Sequence, residues 1–181
     1  MKNVLIAISA AGALLCAAPA FAQSSPFGQV YGTLGYNNFS GANDTDLSAI
    51  TARLGTRLGT HFGVEGEVST GLGSDHGTFA GAPASLHLDD QYAGYAVGYL
   101  PVAPRTDIFA RIGYGHTDLH VSTAVPGVGG SGGQDSVNYG AGGQYFFDNH
   151  NGLRAEYTRQ DYTCSGCGAS DVWSLAYVRK F

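Results

Sequence analysis

The chain has 181 residues, a formal net charge of −5 at pH 7 and only 13% charged residues, against 28 glycines and 11 tyrosines. Because an ordinary soluble domain carries about 25% charged residues, the composition argues against a soluble globular protein. The acidic balance and the lack of a basic cluster in the sequence argue against a surface that binds nucleic-acid phosphates.

The N-terminal residues predict a cleaved secretory signal. Lys2 supplies the positive start, an apolar run follows it, and the Ala-Phe-Ala triplet at 20–22 is a small-x-small cleavage site. The apolar run is shorter than the roughly 20 residues that a membrane helix needs. We therefore expect residues 1–22 to be removed, together with Cys16, and residues 23–181 to form one domain.

The rest of the chain contains eight stretches in which polar and apolar residues alternate with a period of two, as in β-strands. With no apolar run of helix length after the signal, a closed barrel is the remaining way to cross a membrane. The sequence therefore predicts an all-β fold, an eight-stranded antiparallel transmembrane β-barrel wound as an up-and-down meander. In chain order the stretches are QVYGTLGYNNF, SAITARLGTRL, VEGEVSTGL, QYAGYAVGYL, DIFARIGYGHT, SVNYGAGGQYFF, GLRAEYTRQDY and DVWSLAYVRKF.

Residue parity within each stretch predicts which face meets lipid and which meets the lumen. In SAITARLGTRL, Ala52 and Leu54 share the lipid face, whereas Arg53 and Arg57 share the lumen face. A soluble barrel of the lipocalin kind would have apolar residues inside and charges outside, so the charged lumen faces favour a membrane barrel. In QYAGYAVGYL we expect Ala93, Tyr95, Val97 and Tyr99 to face lipid and Tyr92, Gly94, Ala96 and Gly98 to face the lumen.

The connections alternate in length. GTHFG, PVAPRT and DNHNG are short, whereas SDHGTFAGAPASLHLDD and LHVSTAVPGVGGSGGQD are long. Short periplasmic turns opposite long extracellular loops are typical of outer-membrane barrels. Arg159 and Asp161 fall on the lipid parity of the seventh stretch, which indicates either that the membrane band ends near Tyr157 or that a bulge reverses the parity.

Several motifs resemble those of one known family. The final stretch ends on Phe181, YGAGGQYFF lies in the sixth stretch, RLGTRLG and VEGEVSTG flank a hairpin, and FARIGYG carries an arginine. Together they are similar to the small OmpA-like or opacity-type outer-membrane β-barrel proteins, also called porin-family proteins. The resemblance implies a monomer in the outer membrane of a Gram-negative bacterium, in contact with lipid and lipopolysaccharide, with Phe181 as the signal for the barrel-assembly machinery. Arg179 departs from the family pattern, in which an aromatic or apolar residue is common at that place.

Charged residues at lumen positions predict an ionic network of Arg53, Arg57, Glu65, Glu67, Arg111, Arg154 and Glu156, with Asp107 as a fourth carboxylate. The lumen of an eight-stranded barrel is only wide enough for side chains, and unpaired buried charges are strongly unfavourable. With the turn centred near His61, we expect Arg57 opposite Glu65 and Arg53 opposite Ser69. Glycine or alanine at positions 94, 96, 98, 113, 140 and 142 is expected to make room for the arginines.

Cys164 and Cys167 form the motif CSGC before the last stretch. One CxxC pair without a second is weak evidence for zinc, and no thioredoxin-like βαβ context supports redox catalysis. Export to an oxidising compartment favours a disulfide within this loop.

Aspartates dominate the predicted extracellular ends, and only Asp107 and Asp148 fall on the periplasmic side. This acidic rim is compatible with simple solubility, with divalent cations that bridge to lipopolysaccharide, or with an unknown extracellular ligand. The rim aspartates are Asp44, Asp46, Asp75, Asp89, Asp90, Asp118, Asp135, Asp161 and Asp171.

Three functions are compatible with this sequence. The preferred hypothesis is a structural or surface-interaction role with a plugged lumen, no catalysis, no cofactor and no metal. The alternative is a narrow porin-like channel for small solutes or ions, gated by rearranged ion pairs. The third is a lipid A-modifying enzyme, because His120 and Ser122 share a face as in a Ser-His-acid arrangement, although Asp135 lies across a flexible glycine stretch.

Overall fold

The computed structural model describes residues 28–40, 46–72, 74–79, 82–123, 130–164 and 167–181; the predicted signal, residues 1–22, lies outside them. The described residues form no helix that could span a bilayer. The strands are β1 Gln29–Ser40, β2 Asp46–Leu58, β3 Phe62–Gly71, β4 Ser74–Phe79, β5 Ala82–Ala103, β6 Thr106–Thr123, β7 Gly130–Phe146, β8 Asn151–Tyr162 and β9 Ala169–Lys180.

Eight strands close into a barrel. In the order β3-β2-β1-β9-β8-β7-β6-β5 each strand is hydrogen-bonded to the next, and β5 pairs with β3 to close the ring. Closure pairs every barrel strand on both sides, which a bilayer requires because it offers no water to unpaired backbone groups. The predicted eight-stranded antiparallel meander is confirmed.

The strand β4 lies outside this ring, in a connection that the sequence predicted to be a loop. It pairs with the beginning of β5, from Ser74 opposite His87 to Phe79 opposite Ala82. Glycine, alanine and proline give this stretch no clear alternation of polar and apolar residues, although its backbone can still pair. The alternation of polar and apolar side chains therefore predicted fewer strand residues in this region than the structure contains.

The barrel is inside out. Its outer surface carries large apolar side chains that are between 36% and 70% exposed, whereas most of the buried side chains are polar or charged. Such a belt suits a hydrocarbon solvent, and the predicted faces are confirmed for seven of the eight stretches. One outward residue from each barrel strand, in chain order, is Tyr36, Leu54, Val64, Leu100, Ile112, Val137, Leu153 and Leu175.

The predicted faces of β5 are wrong. Tyr95, Val97 and Tyr99 point into the lumen and are 4%, 2% and 4% exposed. The residues that were expected inside, Tyr92, Gly94, Ala96 and Gly98, lie on the outer surface. Neither face of this stretch carries a charge, so the signal that marked the lumen in other strands is missing. The tyrosines lie inside because their hydroxyls find buried partners there, such as Asn138 Nδ2 at 3.0 Å from the Tyr95 hydroxyl.

Arg159 and Asp161 keep the outward parity of β8 without a bulge, because the register of β8 is continuous with both β7 and β9. Arg159 Nε lies 3.2 Å from Asp161 Oδ1, and its Nη1 lies 3.2 Å from Asp171 Oδ1. The Tyr157 hydroxyl donates to the same Asp171 oxygen at 2.6 Å. Of the two alternatives, the structure therefore favours a membrane band that ends near Tyr157.

Asp148 organises the periplasmic turn between β7 and β8, and it gives the fold a pH dependence. Its Oδ1 accepts hydrogen bonds from the backbone N–H of His150 at 2.7 Å and of Asn151 at 2.6 Å, and its Oδ2 accepts one from Asn151 Nδ2. These donors stabilise the carboxylate and lower the pKa of Asp148 from 3.8 to about 2.

Because the folded pKa lies below the unfolded one, the contribution of Asp148 to stability is present above about pH 4 and is lost as the pH falls toward about 2. We expect an NMR titration of the Asp148 carboxyl carbon to have its midpoint near the lower value. The Asp148→Asn variant should lose that titration. A midpoint at the ordinary 3.8 would contradict the role of the turn.

Candidate functional site

The candidate site is a charged layer inside the barrel lumen. Inward parity on β2, β3, β6 and β8 brings its side chains together, and each is no more than 2% exposed. The layer contains three arginines and three glutamates, so it has no net charge. These six residues, all members of the predicted network, are Arg53, Glu65, Glu67, Arg111, Arg154 and Glu156.

Arg53 and Arg111 share two carboxylates. Arg53 Nε lies 2.5 Å from Glu67 Oε2, and Arg53 Nη2 lies 2.7 Å from Glu156 Oε1. Arg111 Nη1 lies 3.0 Å from Glu67 Oε2, and Arg111 Nη2 lies 2.7 Å from Glu156 Oε1. Among the described residues, Glu156 Oε1 accepts no well-aligned hydrogen bond, so its two contacts are ion pairs. Arg53 therefore contacts two carboxylates, and Arg111 contacts three, because its Nη1 also lies 3.7 Å from Glu65 Oε2.

Arg154 completes the layer through Glu65. Its Nη1 contacts Glu65 Oε1 and its Nη2 lies 3.1 Å from Glu65 Oε2, a bidentate arrangement, while its Nε lies 2.9 Å from Glu156 Oε2. The Tyr31 and Tyr99 hydroxyls also donate to Glu65 Oε1, at 2.6 and 3.3 Å. Bidentate, charge-assisted hydrogen bonds of this kind are among the strongest in proteins.

The predicted register of the hairpin β2–β3 is wrong by two residues. Arg53 lies opposite Glu67 rather than Ser69, and Arg57 lies opposite Gly63 rather than Glu65. The cause is the turn, which consists of residues 59–61 and is therefore centred one residue earlier than predicted.

Gly59 begins this turn with a φ of 73°. That left-handed conformation is readily adopted by glycine and is found in three-residue hairpin loops. A shift of one residue at the turn centre moves every cross-strand partner by two, which is why Arg57 does not lie opposite Glu65.

Arg57 instead forms a second charged site nearer the periplasmic turns. Its Nη1 lies 2.9 Å from Asp107 Oδ2 and its Nη2 lies 3.3 Å from Asp107 Oδ1. Gln144 Nε2 also donates to Asp107 Oδ2, at 2.9 Å, and Arg57 donates to the carbonyl oxygen of Thr60. This pair ties the hairpin turn to the opposite strands β6 and β7.

Aromatic rings stack against the guanidinium groups of two lumen arginines, a feature that the sequence analysis did not predict. The guanidinium carbon of Arg111 lies 4.0 Å from the centre of the Tyr95 ring, and that of Arg154 lies 3.9 Å from the centre of the Phe109 ring. Such cation–π contacts are favourable, more so when water is excluded. Phe109 has the same parity as Arg111, so the sequence could have placed its ring among the lumen arginines. The ring of Tyr95 could not be found in this way, because Tyr95 was assigned to the lipid face.

Two glycines of the lumen make room for these rings. A Cβ atom at Gly142 would lie 2.7 Å from Phe109 Cζ, and one at Gly113 would lie 2.6 Å from Tyr95 Cδ1. The predicted lumen positions 113, 140 and 142 do face inward, but 94, 96 and 98 face outward. The arginines gain space indirectly, by stacking on rings that the glycines admit.

Apolar clusters lie on both sides of the charged layer. Toward the extracellular ends of their strands, Phe39, Leu47, Ala49 and Val172 form one cluster. Toward the periplasmic ends, a second cluster includes Tyr31, Tyr99, Phe146 and Val178. Packed apolar side chains therefore lie between the layer and each end of the barrel along these strands.

The remaining predicted residues lie outside the lumen network. Cys164 and Cys167 are joined in a disulfide. Phe181 donates its backbone N–H to the carbonyl oxygen of Val30 at 2.9 Å, and the Arg179 guanidinium lies 6.0 Å from the Phe181 ring. Within the described part of the chain, no group of three or more His, Cys, Asp or Glu residues could hold a metal ion.

The side chains of His120 and Ser122, the candidates for lipid A chemistry, lie outside the described residues. Asp135, the carboxylate considered with them, lies 2.7 Å from Nδ1 of a different histidine, His116. Strand pairing explains this contact, because His116 and Asp135 are direct partners in the register of β6 with β7.

Comparison with known proteins agrees with this architecture. A family described as outer membrane protein beta-barrel domain matches residues 8–181. No curated protein matches the chain.

Among solved structures, Ail, the attachment invasion locus protein of Yersinia pestis, is 16% identical with a TM-score of 0.60, covering 85% of this chain and 99% of that chain. The N-terminal β-barrel domain of Pseudomonas aeruginosa OprF is 14% identical with a TM-score of 0.60, covering 84% and 97%. OprG from Pseudomonas aeruginosa is 10% identical with a TM-score of 0.63, covering 85% and 96%. At these identities the likeness shows the fold.

Proposed function

We propose that this chain, which belongs to the outer membrane protein β-barrel domain family, is a sealed barrel with a structural or surface-interaction role. The family places it in the outer membrane of a Gram-negative bacterium, where its apolar belt meets lipid and lipopolysaccharide. The observation that carries the proposal is the charged layer, in which three arginines and three glutamates compensate one another at no more than 2% exposure.

The energetics of the layer oppose conduction. A permeating ion would have to separate buried pairs such as Arg154 and Glu65, and an uncompensated buried charge is costly. The compensation is also cooperative, because Glu156 contacts Arg53, Arg111 and Arg154 at 2.7, 2.7 and 2.9 Å. Moving one arginine therefore leaves a carboxylate that the others hold in place.

The extracellular end is the surface that we assign to interactions. Of the eight basic residues in 23–181, four lie in the lumen, three lie toward the periplasmic side and only Arg159 lies toward the extracellular side. A second structure of Ail is a complex with the heparin analogue sucrose octasulfate, but the acidic rim of this chain disfavours such polyanions. We propose cationic or cation-bridged partners instead, and Phe181 as the signal for the barrel-assembly machinery.

We propose no catalytic role, no cofactor and a monomeric state. The triad considered for lipid A chemistry needs a free carboxylate to orient its histidine. Asp135 instead pairs with His116 at 2.7 Å, so it is engaged elsewhere.

Conductance measurements distinguish the sealed barrel from the alternative, a narrow channel. In planar bilayers we expect the refolded wild-type protein to give no discrete current steps. Removing a buried pair in the Arg53→Ala/Glu67→Ala double variant should open a path and produce steps. The exposed pair Arg159 and Asp161, replaced by alanine in the same way, serves as the matched control and should leave the membrane silent.

Reproducible current steps from the wild-type protein would contradict the sealed barrel and favour the channel. Their loss in the Arg57→Gln variant would then locate the gate at the periplasmic pair with Asp107. Silence of the wild type together with silence of the double variant would show that the charged layer is not what closes the lumen.

A further inference from the structure

A group of amide and hydroxyl side chains in the extracellular half of the lumen takes no part in the charged layer. Gln91, Ser136 and Asn138 are each 0% exposed. Within the described residues, Gln91 Oε1, Ser136 Oγ and Asn138 Oδ1 have no hydrogen-bond partner. Buried polar atoms in native proteins are nearly always bonded to protein or to ordered water, so these three oxygens point to a ligand that donates hydrogen bonds.

Ser136 and Asn138 are consecutive inward residues of β7, and Gln91 reaches the same part of the lumen through Gln160. Ser136 lies opposite Gly115 in the register of β6 with β7. Because Gly115 has no side chain, its neighbours converge over it: a Cβ atom there would lie 2.8 Å from Asn138 Nδ2 and 3.3 Å from Ser136 Oγ. Gln91 reaches the same wall, since its Nε2 donates to Gln160 Oε1 at 3.1 Å and Gln160 is the register partner of Asn138.

Exchanging the oxygen and nitrogen positions of the Gln91 or Asn138 side-chain amide does not give the unpaired atoms a hydrogen-bond partner. Gln91 Nε2 already donates to Thr117 Oγ1 at 3.0 Å as well as to Gln160, and Asn138 Nδ2 donates to the Tyr95 hydroxyl at 3.0 Å. After an exchange, each amide would present an unpaired N–H group where it now presents an unpaired oxygen. The unmet hydrogen bonds therefore belong to the site itself.

We propose that Gln91, Ser136 and Asn138 hold an ordered water molecule in the extracellular half of the lumen. Water fits because it donates two hydrogen bonds, one to each amide oxygen, and can accept one from the Ser136 hydroxyl. A monovalent cation fits less well, since the Arg111 guanidinium lies 4.0 Å from the ring of Tyr95, whose hydroxyl binds Asn138. An apolar occupant would leave all three oxygens unpaired.

The proposal is tested on the full-length wild-type protein in lipid nanodiscs, by rotating-frame NMR cross-peaks between water and the side-chain amide protons of Gln91 and Asn138. We expect cross-peaks with the sign of direct dipolar transfer rather than that of proton exchange, and their absence would overturn the proposal. Replacing sodium chloride by choline chloride should leave both amide shifts unchanged. A shift on that replacement would show that the site holds a cation instead.

Variants provide the second arm of the test. Asn138→Leu removes one of the two amide oxygens with little change in volume and should abolish the water cross-peak at Gln91. Thr51→Val is the matched control, because Thr51 is also buried in the lumen but its hydroxyl is paired with Ser69 at 2.7 Å. Where Asn138→Leu does not fold, Ser136→Ala should weaken the Gln91 cross-peak. Full intensity in every folded variant would contradict the site.

Discussion

Replacing Arg154 by methionine is expected to lower the free energy of unfolding of the barrel by about 3–5 kcal/mol, the usual effect of breaking a buried ion pair on one side. The Arg154 side chain is 0% exposed, binds Glu65 through two nitrogens and lies 2.9 Å from Glu156 Oε2. Its removal leaves two buried carboxylates with less compensation, which costs more than the lost contacts alone. Urea titration in lipid vesicles measures the change through Trp173, the one tryptophan of the chain, which is 62% exposed on the lipid face.

Arg159→Met is the matched control, because it makes the same chemical change outside the lumen. Arg159 is paired with Asp161 and Asp171 at 3.2 Å each, but its side chain is 42% exposed. Exposed ion pairs contribute little because water screens them, so we expect a midpoint close to that of the wild type. Adding Glu65→Gln to Arg154→Met should recover part of the lost stability, since it neutralises one stranded carboxylate. Equal midpoints for Arg154→Met and Arg159→Met would contradict a stabilising charged layer.

The residues of the charged layer could be chosen from the sequence because the lipid face of a membrane barrel is apolar and its lumen face is polar. Arg53 and Glu67 sit at alternate positions of stretches whose other face is apolar, and no lipid-facing position in mid-bilayer tolerates them. The same difference between the two faces identified the inward residues of seven strands. Closure followed from the absence of water in the bilayer, since eight strands with free edges would leave unpaired backbone groups in lipid.

The predictions that were wrong or missing concern features that a difference between a charged face and an apolar face does not determine. Both faces of QYAGYAVGYL are uncharged, so alternation alone did not show which face holds the tyrosines. The register of β2 with β3 depended on whether the turn centre was at residue 60 or 61, a difference smaller than any residue pattern resolves. The pairing of Arg57 with Asp107 joins β2 to β6 across the lumen, and a partner at that sequence separation is set by barrel geometry rather than by local pattern.

Replacing Gly113 by valine is expected to destabilise the barrel by about 1–3 kcal/mol or more, as overpacking of a filled core does. A Cβ atom at Gly113 would lie 2.1 Å from the carbonyl oxygen of Gly94 and 2.6 Å from Tyr95 Cδ1. The carbonyl belongs to a neighbouring strand and cannot move without distorting the sheet, so the clash is not relieved by a change of rotamer. Folding is followed by the heat-modifiable shift of the barrel on a gel, and the folded fraction of Gly113→Val should fall below that of the wild type.

Gly94→Val is the informative partner of this substitution, because the two glycines come from adjacent strands but face opposite ways. Nothing lies within 4 Å of a Cβ atom at Gly94, and a branched side chain on the lipid face suits a β-strand better than glycine does. We therefore expect Gly94→Val to fold as well as the wild type or better. If β5 had the faces that its sequence suggested, Gly94 would lie in the filled lumen and its valine variant would be the one that fails. A folded fraction lower for Gly94→Val than for Gly113→Val would thus overturn the inward placement of Tyr95 and Tyr99, and with it the aromatic support of Arg111.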